Sequence, residues 1–336
     1  MTKVRISIPQ FAGAALIAVV AGCAAVGPDY RRPNVELPGS FPSVAPGDAA
    51  ASIPMQWWTL YGDPVLDDLV AASLRNNVDL RRATAQIEEA EATLREAGAS
   101  IFPEVDLSGS TSRSRSSTFN AQSLPPGTPA ISNANRLALS TSFEIDFWGK
   151  LRRATEAARA QVLGTRYGRD VVALTLAGTT VQSYFTLRSL DAQITVTEEI
   201  LSTRADALVV AQNRARGGLT SDLDVNQAQG VRADTALQLV ELQRQRAVVE
   251  HQLGTLTGKL DLTLPRGDLA QLPLPADPPP GLPSSLIDRR PDVRQAEEAL
   301  AAASAQIGVA KAAQLPTFSL TGSYGVQSAT LGNVVR

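Results

Sequence analysis

A net charge of −2 spread over 336 residues offers no basic field to nucleic acid, so no nucleic-acid partner is expected. His251 is the only histidine and Cys23 the only cysteine, which excludes an intrachain disulfide and a His/Cys metal cluster. Aromatics make up 5 % while Ala, Leu, Gln, Arg and Glu are common, a balance that favours long helices packed through small residues.

The first 22 residues read as a processing segment. Lys3 and Arg5 form a basic start, and Phe11 to Val20 an uncharged, mostly apolar run. That run is shorter than the ~20 residues a spanning helix needs, so it is set aside from the fold. Val20-Ala21-Gly22-Cys23 follows at the place of cleavage. The small residues before Cys23 resemble a bacterial lipobox, which implies diacylation of Cys23; the alternative is an ordinary secretory signal with an incidental cysteine. Ala24 after it, rather than Asp, implies sorting to the outer membrane.

Residues 23–56 are rich in Pro and Gly and predict an extended tether. Trp57 to Asp63 predicts an anchoring turn, and Pro64 opens a helix over 64–100. Two segments then alternate with period two, predicting strands over 103–116 and 136–147. In the second, Leu137, Leu139, Phe143, Ile145 and Phe147 share one face, and Ala138, Ser140, Ser142, Glu144 and Asp146 the other. A long polar loop with Pro125, Pro126 and Pro129 joins them.

No proline occurs from Ala130 to Leu264, and 149–215 and 221–257 predict two helical arms. Leu187, Ile194, Leu201 and Leu208 recur every seven residues, as do Leu242, Val249 and Leu256, the spacing of a coiled-coil seam. The first arm would be roughly 100 Å long, a rod that no compact core requires. Between the arms lie Gly217-Gly218-Leu219-Thr220-Ser221, with a glycine suited to a C-cap and Thr220 or Ser221 to an N-cap. Residues 259–291 form a Pro-rich linker. A helix over 292–314 and a strand over 316–328 complete the chain. In that strand Phe318, Leu320, Tyr324 and Val326 oppose Ser319, Thr321, Ser323 and Gln327.

The last two elements repeat the earlier ones. Residues 79–110 align without a gap on 292–323, at a constant offset of 213 positions (292 minus 79). Asp79 meets Asp292, Arg81 meets Arg294, Pro103 meets Pro316, Leu107 meets Leu320, and Gly109-Ser110 meet Gly322-Ser323. A period this long implies duplication of a structural unit, 57–258 being the first copy and 292–336 a short second one. A complete second copy would run for roughly another 120 to 140 residues.

A strand with one apolar and one Ser/Asp/Glu face suits a soluble sandwich or a membrane barrel with water inside. The segments are long enough for a tilted crossing of the hydrocarbon layer, yet too few to close a barrel, and lipid does not tolerate open edges. Closure then requires several chains pooling their strands, with the helical arms continuing the tube.

The chain resembles the outer membrane factor (TolC-like) family of bacterial efflux systems, in its lipoprotein branch that partners resistance-nodulation-division (RND) pumps. The residues that carry the resemblance run in order along the chain: GCAAVGPDYRRP, WWTLYGDPVLDDLV, SFEIDFWGKLRRATEAARA, YFTLRSLDAQ, GGLTSDLDVNQAQ and LIDRRPDVRQAEEALAAASAQIGVAKAAQLPTFSLTGSYG. It implies an internally duplicated α+β membrane protein, a homotrimer whose strands form one transmembrane β-barrel over a periplasmic coiled-coil tunnel. It also implies a further strand and a second hairpin beyond the elements present. The function implied is a passive export duct in the outer membrane, working with a periplasmic adaptor (membrane fusion) protein and an inner-membrane RND-type pump. The alternatives are a periplasmic coiled-coil adaptor with no pore and a non-functional fragment of such a channel.

At the arm-joining tip, Gly217, Gly218, Leu219, Ser221, Asp222 and Leu223 match the place where the resemblance puts adaptor docking; simple helix capping is the plainer account. Ser140, Ser142, Glu144 and Asp146 are candidates to line the pore, with Asp222 and Asp224 at the tunnel mouth; Glu144 and Asp146 equally suit pinning the strand-to-helix bend. Arg290 and Asp292 are expected to orient the helix that Pro291 opens. No G-x-S-x-G, Walker loop, G-x-G-x-x-G or H-E-x-x-H is present, so neither catalysis nor a cofactor is expected.

Overall fold

The computed structural model describes residues 25–34, 54–117, 129–275 and 287–334. The leader, Cys23, most of the expected tether and the middle of the 117–130 loop lie outside them. Five long helices are described: α1 (Pro64–Asn76), α2 (Val78–Ala99), α3 (Lys150–Arg216), α4 (Asp222–Thr257) and α5 (Pro291–Ala312). Three strands, β1 (Glu104–Arg115), β2 (Ile131–Ile145) and β3 (Phe318–Ser328), form one antiparallel sheet in that order. None of the described helices is long and apolar enough to cross a membrane.

Packing divides the chain into two compact units: Met1–Pro33, Glu88–Gly164 and Ala296–Arg336 in one, Asn34–Ile87 and Thr165–Gln295 in the other. The division does not follow the sequence repeat, because residues of both copies enter each unit.

The unit with Asn34–Ile87 and Thr165–Gln295 has the apolar core. Trp58, Leu66, Leu69, Val70, Ala177, Val181 and Tyr184 form it, with Tyr61, Phe185 and Leu262 packed around. Asp63 caps α1, accepting from Val65 N at 2.9 Å with one oxygen and from the Tyr184 hydroxyl with the other. Burial first, and then the Asp63 carboxylate, pushes the Tyr184 phenol up to about 12. The expected helix over 64–100 is two helices. Asn77 has extended backbone (φ −62°, ψ 135°). Its Oδ1 caps Asp79 N at 2.8 Å, and its Nδ2 donates to Leu256 O at 3.2 Å. An Asn that hydrogen-bonds locally competes with helical continuation. The heptad seam of α3 and α4 is buried at Leu187, Leu190, Ile194 and Leu242.

In the other unit the sheet stands out. β1 pairs with β2 from Glu104↔Ser142 to Arg115↔Ile131, and β2 with β3 from Asn135↔Ser328 to Ile145↔Phe318. β2 therefore begins five residues before the expected start. Apart from Ile131, its first half, ISNANR, has no large apolar side chain on either face and carries no alternation to read. Residues 25–33 do not run free. Val26 N donates to Trp148 O at 2.9 Å, Asp29 pairs with Arg153 at 2.5 Å, and Arg32 with Glu297 at 3.1 Å. A Cβ on Gly27 would lie 2.6 Å from Gly308 Cα, so glycine permits this crossing of tether and α5.

Candidate functional site

The sheet sorts its residues by face. Directly opposed residues in an antiparallel pair share a face. The register therefore gathers Val105, Leu107, Leu137, Leu139, Phe143, Ile145, Phe318, Leu320, Tyr324 and Val326 on one side. Most of these large side chains lie open: Leu107 is 71 % exposed, Leu320 64 % and Tyr324 80 %. The opposite side carries Glu104, Asp106, Ser108, Ser140, Ser142, Ser319, Thr321 and Ser323. Asp106, Ser140 and Ser323 stand in one cross-strand row, and Glu104, Ser142 and Thr321 in the next.

The apolar side has edges of two kinds. At the helix end it stops in aromatics, Phe147 lying 5.2 Å from Trp148 and 6.0 Å from Phe318, centroid to centroid. Trp148 Nε1 donates to Pro316 O at 2.9 Å, tying β3 to the foot of β2. Phe102, beside the start of β1, is 70 % exposed. At the other end a polar ladder closes the band. Thr111 Oγ1 donates to Asn135 Oδ1 at 2.5 Å, and Asn135 Nδ2 to Ser328 O at 3.2 Å. From Leu137 to Ile145 the band covers about 27 Å of strand, about 20 Å of depth at the usual barrel tilt, before the aromatic rings are added. Sequence reading placed Phe147 on the apolar face of the strand; β2 ends at Ile145, and Phe147 instead joins Trp148 in an aromatic foot that the alternation alone did not reveal.

Glu144 and Asp146 serve the bend. Lys150 Nζ lies 2.9 Å from Glu144 Oε1. Asp146 accepts from the backbone of Leu151 at 3.0 Å and Arg152 at 2.9 Å, and from Arg152 Nε at 3.2 Å. A carboxylate on the first amides of α3 satisfies orphan donors and complements the helix dipole. Ser140 and Ser142 remain on the polar face, at different rows of the sheet.

The tip is a helix stop followed by a helix start. Gly218 has φ +69°, Gly218 N donates to Ala215 O at 2.9 Å, and Leu219 N to Arg214 O at 2.9 Å. These two bonds are the Schellman pattern. Asp224 then accepts from the Thr220 hydroxyl, from Ser221 N at 3.3 Å and from Ser221 Oγ at 3.4 Å. The Thr220 hydroxyl first, then the Ser221 backbone, hold its carboxyl below the usual range. Asp224 is thus engaged as a cap, while Leu219 and Leu223 are 74 % and 63 % exposed on either side of Asp222.

A buried polar cluster escaped sequence reading. Asp191, 1 % exposed, accepts from Arg246 Nε at 2.7 Å, Arg188 at 3.1 Å and Gly267 N at 3.2 Å. Arg246 also reaches Leu264 O at 2.7 Å, and Glu250 accepts from Leu264 N at 2.7 Å. Arg188 donates to Pro265 O at 2.8 Å and lies over the Tyr184 ring at 4.8 Å. Both hairpin arms thereby hold the start of the Pro-rich segment. Two arginines on one buried carboxylate are a structural clamp, and the capped tip, the helix-pinning acids and the open two-faced sheet suit positioning rather than catalysis.

A two-faced sheet with a long helical hairpin is the architecture of solved outer-membrane channels. The chain is similar to the outer-membrane channel OprN, with a TM-score of 0.79 and 29 % identity over 92 % of this chain and 69 % of that one. The Campylobacter jejuni CmeC outer membrane channel gives a TM-score of 0.81 and 26 % identity over 93 % and 67 %. Among curated proteins, the toluene efflux pump outer membrane protein TtgC of Pseudomonas putida is 32 % identical over 327 residues, covering 94 % of this chain and 66 % of TtgC. The cation efflux system protein CusC of Escherichia coli (strain K12) is 32 % identical over 322 residues, covering 93 % and 67 %. The chain thus spans about two thirds of the length of these relatives. The model of the outer membrane efflux protein family matches residues 69–259 and 282–335, and the chain belongs to that family.

Proposed function

We propose that the protein is a subunit of a passive outer-membrane exit duct in a tripartite efflux system. The observation that carries the reading is the sheet: an exposed apolar face, a Ser/Asp-rich reverse, and outer edges of β1 and β3 without partners among the described residues. Such a sheet is stable in lipid only when its edges are paired, which one three-stranded sheet cannot do for itself. Sister chains, three by family resemblance, pool their strands into one barrel and turn the serine face to a water-filled lumen. The internal duplication supplies β1 and β3 as equivalent strands. Cys23 carries the lipid anchor in the outer membrane, and the helical arms extend into the periplasm. Selectivity comes from constriction and charge, energy from an inner-membrane RND-type pump.

The tip residues Gly217, Gly218, Leu219, Ser221, Asp222 and Leu223 dock the periplasmic adaptor, the two leucines offering apolar anchors beside Asp222. Asp222 and Asp224 contribute negative charge near the mouth, and Ser140 and Ser142 line the barrel. Relatives at the same identity bear names for toluene and for cation efflux, so the proposal is of a duct with no cargo assigned. The test is reconstitution of the acylated protein in planar bilayers, with cross-linking of the purified species. Stepwise conductance from a three-chain species is expected. A chain that is monomeric, unacylated and soluble when isolated from cells would end the proposal.

A further inference from the structure

From Leu107 to Phe143 the sequence contains three arginines, Arg113, Arg115 and Arg136, and no acidic residue. The sheet register divides them. Arg136 opposes Ser110 and Gln327 and belongs to the serine face. Arg113 and Arg115 follow Leu107, Gly109 and Thr111 in the same alternation, so they stand on the apolar face past its end. Both are exposed. Arg113 has Asn133 directly across the ladder, and Arg115 has Ile131.

The order of groups up this one face is informative. The continuous run of open apolar side chains ends at Leu137 and Val326, beside Gly109, and the Thr111–Asn135–Ser328 ladder comes next, with Ile131 a single exposed apolar residue beyond it. Arg113 then lies about 14 Å of strand above Gly109 and Arg115 about 20 Å, distances along the chain from the usual rise per residue. At a barrel tilt these become heights of about 10 and 15 Å, the level of the headgroups that flank a hydrocarbon layer. Long arginine side chains lying on an apolar surface carry their heads to such an interface. The opposite end of the face is aromatic; past it Glu144 pairs with Lys150 and Asp146 with Arg152, while Glu104 stands on the serine face. The two ends therefore face different chemistry.

We infer that Arg113 and Arg115, with the Asn133 amide between the strands, form a phosphate-binding site for the phosphorylated glycolipid headgroups of the outer leaflet. The inference rests on the membrane reading above. Guanidinium groups match phosphate oxygens through paired N–H donors, and no carboxylate lies between Leu107 and Phe143 to compete. The leaflet follows from position, since the site lies at the end of the sheet away from the strand-to-helix bend at Asp146.

The test uses the full chain in detergent micelles doped with lipid A, either with its phosphates or enzymatically stripped of them. Association with micelles and retention of lipid A are measured separately. The wild type is expected to retain phosphorylated lipid A, and Arg113→Gln/Arg115→Gln to bind it about thirtyfold more weakly, from the usual contribution of two surface arginines at an anionic interface. Arg136→Gln, on the other face, should match the wild type, and stripped lipid A should not distinguish the proteins. Equal retention by wild type and double variant would overturn the inference, as would an equal loss from Arg136→Gln. A chain that stays out of micelles altogether removes the membrane reading and this site together.

Discussion

Leu66 in the helical core has no exposed surface, whereas Leu107 on β1 is 71 % exposed. The two leucines mark two ways of using apolar side chains. Around Leu66 the chain supplies its own cover, in Val70, Val181 and Tyr184. Around Leu107 it supplies a row of like residues and, among the described residues, nothing above them. On the proposed membrane reading, the contrast teaches that burial within one chain is the wrong measure for the sheet, whose apolar side then meets a solvent other than water.

The contrast can be broken hardest at Asp191. Asp191→Ala leaves Arg188 and Arg246 buried without their shared acceptor and should destabilise the helical core by about 3–5 kcal/mol, read as a drop in its unfolding midpoint. Leu66→Ala should cost about 3 kcal/mol in the same assay, while Leu107→Ala should leave that transition unmoved. Equal effects from the two leucines would erase the distinction. In bilayers the sheet should become the sensitive region: Leu320→Arg should lower membrane-embedded stability by about 3 kcal/mol, and Thr321→Arg, one residue on and on the other face, by far less. Gly218→Ala forces a side chain into the left-handed region and should loosen the tip by about 1 kcal/mol, seen as faster amide exchange at Leu219. The smallest effect is acid-dependent. Because the folded state lowers the Asp224 carboxyl, its cap is fully present above the ordinary carboxylate range near pH 4 and is lost as pH falls through the lowered value. Amide exchange at Ser221 should rise over that acid range, and Asp224→Asn should flatten the rise.

Legibility followed the physics of each region. Period-two alternation located the lower half of β2 because its apolar and its Ser/Glu residues fall on opposite faces of the sheet. The upper half, ISNANR, gave no such contrast, since beyond Ile131 neither of its faces carries a large apolar side chain. Helical arms and tip were readable from spacing, glycine and capping residues. The break at Asn77 was not, because Val78 to Arg82 continues a helical pattern and Asn77 commits to capping Asp79 N only in the fold that also bonds it to Leu256 O. The Asp191 cluster stayed hidden for a similar reason. Its partners Arg188, Arg246, Glu250 and Gly267 are scattered, and only folding brings them together. Asp224 was legible as an acid at the tip, but its work as a cap required the Thr220 and Ser221 geometry.

The outer rims of β1 and β3 have a consequence for biogenesis. Among the described residues each presents a row of unpaired amide and carbonyl groups beside exposed leucine and tyrosine, a combination that templates wrong pairing. If the proposed duct is right, the most dangerous moment for this molecule is the crossing from its site of secretion to its final membrane, when neither lipid nor sister strands cover it. On that reading, a holdase chaperone, or assembly that keeps pace with secretion, is what such a surface requires during transit.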